Sequence, residues 1–167
     1  TDMHEVMENY VKECMSKNMG QPMVNYESDH LEEINASKLQ LFVDWSVENI
    51  KKFMYSEKNV YSDRLWTGGI FDVMFERKDG KICIGDFKSS KEAYLSQFIQ
   101  IAGYDIQQKE NGIFTPEGYK LSTGFNVEAY YVFPFGSDKF NVAVKYGLDE
   151  LRNGFEMCVG LYKLTNE

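Results

Sequence analysis

Apolar residues recur at helical spacing near the start of the chain and again before its middle. Residues 3–16 place apolar side chains three and four positions apart, which predicts an amphipathic helix with one face in the core. A loop over residues 19–30 follows, and a second apolar series predicts a helix from about Ser37 to Met54. The sequence therefore predicts two helices before the first strand.

The pattern changes to that of strands after Trp66. Two apolar runs, residues 70–75 after Gly68-Gly69 and residues 82–87, are joined by an Asp-Gly turn, which predicts a hairpin. The later predicted elements are a helix over 92–108 with Ser89-Ser90 near its N-cap, a loop over 110–124, strands over 127–133 and 140–144, and a last helix over 148–161 interrupted near Gly154. This order predicts an α/β (mixed α+β) fold with a small mixed central sheet flanked by helices.

Length and charge change this picture only slightly. A chain of 167 residues suits one domain, and we expect residues 1–167 to form one. The net charge is −8, and the middle third is closest to neutral, with 9 acidic and 8 basic residues over 61–120. An acidic chain is unfavourable for nucleic-acid binding, because phosphate contacts usually leave a basic surface.

Cysteine usage and hydropathy indicate the compartment. Cys14, Cys83 and Cys158 are widely spaced and odd in number, which argues against a disulfide framework, a zinc site and an iron–sulfur cluster. We expect a reducing, cytoplasmic environment. No apolar run approaches the ~18 residues of a membrane span, so no membrane partner is expected. The chain begins with Thr1 rather than Met, which indicates a fragment or a processed chain.

Two aspartates lie within the apolar strands of the hairpin, and the length of the turn decides whether they meet. A two-residue loop at 79–80 would point Asp72 and Asp86 to opposite faces of the sheet. A three-residue loop at 78–80, with its glycine in the left-handed conformation, places them directly opposite each other. Their Cβ atoms would then be ~5 Å apart. We expect the second arrangement, with Lys88 projecting from the same face.

Two opposed carboxylates inside a sheet need a cation, or one of them must keep a proton. Carboxylate oxygens at this spacing suit Mg²⁺ or Mn²⁺. Lys88 would hold both carboxylates ionised and stabilise charge that develops on a phosphate. An exposed hairpin end with ordinary ion pairs is the alternative, but two acids and a lysine within apolar strands favour a metal site.

Three motifs in order resemble a known family. They are a glycine-rich lead into an aspartate at residues 67–72, an Asp-x-Lys followed by Ser-Ser at 86–91, and a helical Gln-x-x-x-Tyr at 100–104. Together they resemble the PD-(D/E)XK nuclease superfamily, and in particular its RecB-like exonuclease branch, which includes phage-type exonucleases. The resemblance covers about residues 57–106, and Phe71 stands where the superfamily has proline.

The resemblance implies a restriction-endonuclease-like core and a role for each matching residue. The implied ligands of Mg²⁺, or of Mn²⁺, are Asp72, Asp86, Glu57 and the backbone carbonyl of Phe87. Lys88 would lie beside the attacking water. Gln100 and Tyr104 share one helix face and would position DNA or Lys88. Glu57 matches the catalytic glutamate that the family places on a helix before the first strand; a solvated acid at a helix end is the alternative.

Some members of the family carry two further features, a catalytic histidine and a four-cysteine cluster. Some relatives carry a catalytic histidine upstream of the first aspartate, and His30 is our candidate, with a surface role as the alternative. Other relatives carry a four-cysteine cluster, which this sequence lacks, so we expect no iron–sulfur cluster.

The predicted function is a metal-dependent deoxyribonuclease, an exonuclease of recombination, repair or phage DNA metabolism. The expected partners are DNA, further copies of the chain in a ring with a locally basic channel, and a recombination partner protein. Three alternatives remain open. They are a structure-specific or restriction-type endonuclease on the same fold, a non-catalytic nucleic-acid or protein-binding module, and an acidic interaction domain without a nucleic-acid role.

Overall fold

The computed structural model describes residues 2–166, and within them the chain forms four helices and seven strands. The helices are α1 (Met3–Lys17), α2 (Glu33–Asn49), α3 (Leu95–Asn111) and α4 (Leu148–Thr165). The strands are β1 (Ile50–Ser62), β2 (Thr67–Arg77), β3 (Ile82–Lys88), β4 (Ile113–Phe114), β5 (Lys120–Ser122), β6 (Val127–Pro134) and β7 (Ala143–Lys145).

One mixed sheet runs through the middle of the molecule in the order β5-β4-β1-β2-β3-β6-β7. All neighbouring strands are antiparallel except β3 and β6, which are parallel and are connected through α3. Side chains of α1 and α2 form one buried cluster with the sheet, and side chains of α3 and α4 form the other. The predicted mixed α/β fold is therefore confirmed, with helices on both faces of the sheet.

The hairpin of β2 and β3 has the register that the three-residue turn predicts. Val73 pairs with Gly85 along the ladder, and the N–H of Arg77 donates to the carbonyl of Lys81 at 2.8 Å. Gly80 has φ of +90°, in the left-handed region that glycine adopts without a Cβ clash. The same register brings Asp72 opposite Asp86, one position beyond the last pair of the ladder.

Strand β1 corrects the prediction of a helix that continues to Met54. Helix α2 ends at Asn49, and β1 begins at the next residue. The ladder with β2 contains register shifts at its start, so the first buried positions, Ile50, Phe53 and Ser56, recur every third residue rather than every second. Bulges add unpaired residues to a strand. Here they give the buried positions of β1 a spacing close to that of a helix.

Smaller corrections concern α3, α4 and the segment between α3 and β6. Helix α3 begins at Leu95 rather than near residue 92, because Gln97 turns back, accepts from the N–H of Tyr94 and donates to Ser90. Helix α4 continues through Gly154 without interruption. The predicted loop over 110–124 contains the two short edge strands β4 and β5.

None of the helices within residues 2–166 is long and apolar enough to cross a membrane.

Candidate functional site

Asp72 lies on β2 where the ladder with β3 ends, and its side chain bonds to the neighbouring strand. Its Oδ2 accepts a hydrogen bond of 2.8 Å from the backbone N–H of Phe87. The carboxylate thus binds the backbone of the strand that carries Asp86 and Lys88. This contact fixes Asp72 beside the second aspartate, as the turn length predicts.

Asp86 is almost fully buried, with 2% of its side chain exposed. Its Oδ2 lies 3.2 Å from Nζ of Lys88 as an ion pair, but the contact lacks hydrogen-bond geometry, and the oxygen accepts no hydrogen bond. Burial and then the charge of Asp72 raise the pKa of Asp86 to about 7. A buried carboxylate oxygen without a hydrogen-bond donor suits a bound cation.

Helix α3 supplies the groups around Lys88. Nζ of Lys88 donates to Oε1 of Gln100 at 2.7 Å, so the amide holds the ammonium close to Asp86. Burial and then the charges of Asp86 and Asp72 raise the pKa of Tyr104. The Tyr104 ring lies on Gly69 of β2, where an added Cβ would come within 2.6 Å of Cε1. The structure thus brings Gln100 and Tyr104 to the predicted site.

Helix α1 adds two residues that the sequence analysis missed, His4 and Glu8. Nε2 of His4 lies 2.7 Å from Oε1 of Glu8 and 3.1 Å from Oδ1 of Asp72. Hydrogen bonds to Asp72 and Glu8 raise the pKa of His4 to about 10. The two residues are four positions apart. This spacing predicts that they share a face of the helix, but not that this face meets Asp72.

Glu57 lies near the cluster, but on a strand rather than at the predicted helix end. It lies within β1, not on a helix before the first strand, and its φ of +51° is in the left-handed region. It accepts a hydrogen bond from Lys12 of α1. Burial would raise its pKa, but hydrogen bonds from Lys12 and Glu8 outweigh that effect, and its pKa is lowered. Burial and contact with Glu57 raise the pKa of Glu8, although its hydrogen bond with His4 acts to lower it.

The structure favours His4 over His30 as the histidine of the site. His30 is exposed in the turn before α2, in a surface groove that it shares with Tyr26 and Asp29. His4 instead contacts Asp72 directly and packs its ring edge-on against Phe87 at 5.7 Å. The backbone N–H of Phe87 donates its hydrogen bond to Asp72. The role of the Phe87 carbonyl as a metal ligand stays a prediction.

The cluster combines ligand types that hold divalent cations. His4, Glu8 and Asp72 each offer one ligand atom, and these atoms lie within 4.8 Å of one another. Asp86 lies against Asp72, and Glu57 lies against Glu8. Three cationic groups, of His4, Lys12 and Lys88, oppose the four carboxylates. The carboxylates suit Mg²⁺ or Mn²⁺. An imidazole among the ligands favours Mn²⁺ over Mg²⁺, since Mg²⁺ prefers oxygen ligands throughout.

Comparisons with protein-family models and with curated proteins find no match to this chain.

Proposed function

We propose that the chain is a divalent-metal-dependent deoxyribonuclease with a restriction-endonuclease-like core. The observation that carries the proposal is the buried Asp86, whose Oδ2 accepts no hydrogen bond although Asp72 and Lys88 both lie beside it. Buried charges are costly unless they are paired or bind a metal. The order of α1, the antiparallel strands β1–β3, α3 and the parallel strand β6 is compatible with that core.

The proposed metal ligands are the acids of the cluster. Asp72 and Asp86 would hold Mg²⁺ or Mn²⁺, with Glu57 and the carbonyl of Phe87 as the ligands that the family resemblance adds. The geometry adds His4 and Glu8 as candidates, because both lie at Asp72. The bound ion would polarise the phosphate and stabilise the charge that develops on its oxygens.

Lys88 would act on the water and on the phosphate. Its ammonium is held between Asp86 and Gln100, at 3.2 Å and 2.7 Å, so its position is defined before DNA binds. Water would attack phosphorus, the bond from phosphorus to the sugar oxygen would break, and the proton that the water loses would pass through solvent to that oxygen. Lys88 would orient the water and stabilise the added negative charge. Gln100 would be a positioning residue because it acts through Lys88, and Tyr104 would contact the DNA.

The proposed substrate is DNA, and exonuclease action in recombination, repair or phage DNA metabolism rests on the resemblance of the three motifs. A ring of several copies and a recombination partner belong to the same proposal. A ring would offset the net charge of −8 by collecting lysines around a channel.

Digestion of end-labelled linear DNA and of closed circular DNA with Mg²⁺ tests the proposal. We expect loss of the linear substrate while the circle stays intact, and no cleavage by Asp86→Asn. Cutting of the circle would indicate an endonuclease on the same site. Absence of cleavage of either substrate with Mg²⁺ or Mn²⁺ would overturn the enzymatic proposal and favour a binding module.

A further inference from the structure

The chain after β6 holds the segment that follows β3. Lys88 and Pro134 are the last residues that pair in the parallel ladder of β3 and β6. Beyond them, the N–H of Phe135 donates to the carbonyl of Lys88 at 2.9 Å. The N–H of Gly136 donates to the carbonyl of Ser90, also at 2.9 Å. Two hydrogen bonds therefore join the end of β3 to the residues that leave β6.

Gly136 lies against this segment without room for a side chain. A Cβ at this position would lie 2.3 Å from the carbonyl oxygen of Ser89 and 2.5 Å from the carbonyl carbon of Ser90. Both are backbone atoms, so no rotation of a side chain relieves the contact. The φ of Gly136 is outside the left-handed region. The close approach of two backbones, and not an unusual φ, therefore requires glycine here.

The backbone of Lys88 no longer pairs with β2. The ladder of β2 and β3 ends at the pair of Val73 and Gly85, three residues before Lys88. After Lys88, residues 89–94 form neither helix nor strand. The hydrogen bonds from the chain after β6 therefore support the end of β3 where regular pairing with β2 has stopped.

The position of the Lys88 ammonium depends on this backbone. Its Nζ lies 3.2 Å from Oδ2 of Asp86 and donates to Oε1 of Gln100 at 2.7 Å. Asp86 lies on the same strand as Lys88, whereas Gln100 lies on α3. A displacement at the end of β3 would therefore change the distance from the ammonium to the helix.

We propose that Gly136 is a positioning residue for Lys88. Its missing side chain lets the chain after β6 approach residues 89–90, and this contact holds the ammonium between Asp86 and Gln100. The inference rests on the proposed function, in which Lys88 orients the attacking water. Gly136 acts through the backbone at the end of β3 and not on the substrate.

Gly136→Ala should displace this backbone by about 1 Å, because a contact of 2.3 Å must lengthen to the 3.4 Å of an ordinary one. A misplacement of about 1 Å can cost roughly 100-fold in rate. We therefore expect kcat for DNA cleavage with Mg²⁺ to fall roughly 10–100-fold. KM for DNA should stay unchanged, because Lys88 acts on the water.

Gly124→Ala is the matched control. Its Cβ would also meet backbone, 2.6 Å from the carbonyl oxygen of Gln108, about two helical turns after Gln100. It should lower the free energy of unfolding, as Gly136→Ala does, but keep kcat. Combined with Lys88→Met, Gly136→Ala should slow cleavage no further, because its effect passes through Lys88.

The side-chain amide of Gln100 reports the position of Lys88 without a cleavage assay. Its signal in a proton–nitrogen correlation spectrum of the metal-free protein is identified by its loss in Gln100→Met. Gly136→Ala should move the signal toward its position in Lys88→Met, and Gly124→Ala should leave it in place. If Gly136→Ala does not melt cooperatively, Phe140→Leu replaces it and should move the signal the same way. The Phe140 ring stacks on Phe133 at 6.3 Å and supports the chain after β6.

The outcomes separate this inference from the proposed function. A Gln100 signal that stays in place in Gly136→Ala would overturn the inference even if the wild type cleaves DNA. A further loss of rate in the Lys88→Met background would overturn it equally, because Gly136 would then act by another route. A wild type that cleaves no DNA would overturn the proposed function instead, and the amide signal would still decide whether Gly136 positions Lys88.

Discussion

Asp86 keeps its proton more strongly than an ordinary aspartate because it is buried next to Asp72. Unfolding moves its pKa from about 7 back to 3.8. Between these values the folded state binds more protons, so a rise in pH favours the unfolded state. The metal-free protein therefore loses stability from about pH 4 to pH 7 through this residue, by at most about 4 kcal/mol.

Asp86→Asn should remove this loss, since an amide does not titrate. We expect the free energy of unfolding, measured with urea in the presence of a chelator, to fall less steeply between pH 4 and pH 7 than in the wild type. Asp138→Asn, at an exposed position, should keep the wild-type slope. Equal slopes for the wild type and Asp86→Asn would show that Asp86 is ionised throughout.

In the proposed mechanism Lys88 separates catalysis from metal binding, because its ammonium contacts Asp86 and Gln100 and would not be a ligand. Lys88→Met should lower the rate of DNA cleavage about 10²–10⁴-fold, while Mg²⁺ still raises the melting temperature. Lys91→Met is the matched control, since Lys91 is exposed in the loop after β3. Full activity of Lys88→Met would remove Lys88 from the proposed chemistry.

Some residues of the site could be predicted and others could not. Asp72, Asp86 and Lys88 lie on one hairpin, so the turn length alone determines how they meet. His4 and Glu8 lie on a helix, more than sixty positions before Asp72 in the chain. Their contact with Asp72 depends on how α1 packs on the sheet, and no local pattern gives that packing.

At the scale of elements, α1 brings His4 and Glu8 to the carboxylate of Asp72. His4 is protonated at pH 8 in the metal-free protein, because its pKa is about 10. A histidine must lose its proton to bind a metal. Metal binding at pH 8 should therefore release about one proton from this residue.

Calorimetry in two buffers with different ionisation enthalpies measures the proton release. We expect His4→Gln to bind Mn²⁺ with markedly less release than the wild type, and His30→Gln to match the wild type. Asp86 contributes little at this pH, since its pKa of about 7 leaves it ionised. Equal release by His4→Gln and the wild type would exclude His4 as a ligand.

Contact between β2 and α3 sets the position of Tyr104. Gly69→Ala would put a methyl group 2.6 Å from Cε1 of the Tyr104 ring, so the ring or the helix must move. We expect a loss of about 1–3 kcal/mol in the free energy of unfolding, as for other overpacked sites, together with slower DNA cleavage. Gly68→Ala is the neighbouring control, where the nearest atom is 3.4 Å away.

Elements whose apolar positions repeat at a regular spacing were predicted well, and the strand with β-bulges was not. Helix α1 and the hairpin of β2 and β3 repeat their apolar positions at the expected spacing, and their bounds agree with the prediction to within three residues. Strand β1 contains register shifts and a left-handed Glu57, so its buried positions imitate a helix. The expectation that Glu57 lies at a helix end followed from that error.

In the whole molecule, the sheet and the helices on its two faces bring distant parts of the chain together at one site. Residues of α1, β1, β2, β3 and α3 meet at Asp72 and Asp86, and a cation there would link all five elements. A ligand that binds only the folded state stabilises it, by about 2.7 kcal/mol at a hundredfold excess over Kd. For a domain of this size that corresponds to a rise of roughly 5–10 °C in Tm.

The thermal melt with and without Mg²⁺ or Mn²⁺ tests the central claim most directly. Asp86→Ala is compared with the wild type and with Asp138→Ala, and each variant must first show a cooperative melt in chelator. We expect the metal to raise Tm of the wild type and of Asp138→Ala by several degrees, and to leave Tm of Asp86→Ala unchanged. A wild type that does not respond, or an Asp86→Ala variant that responds equally, would contradict a metal centre at these carboxylates.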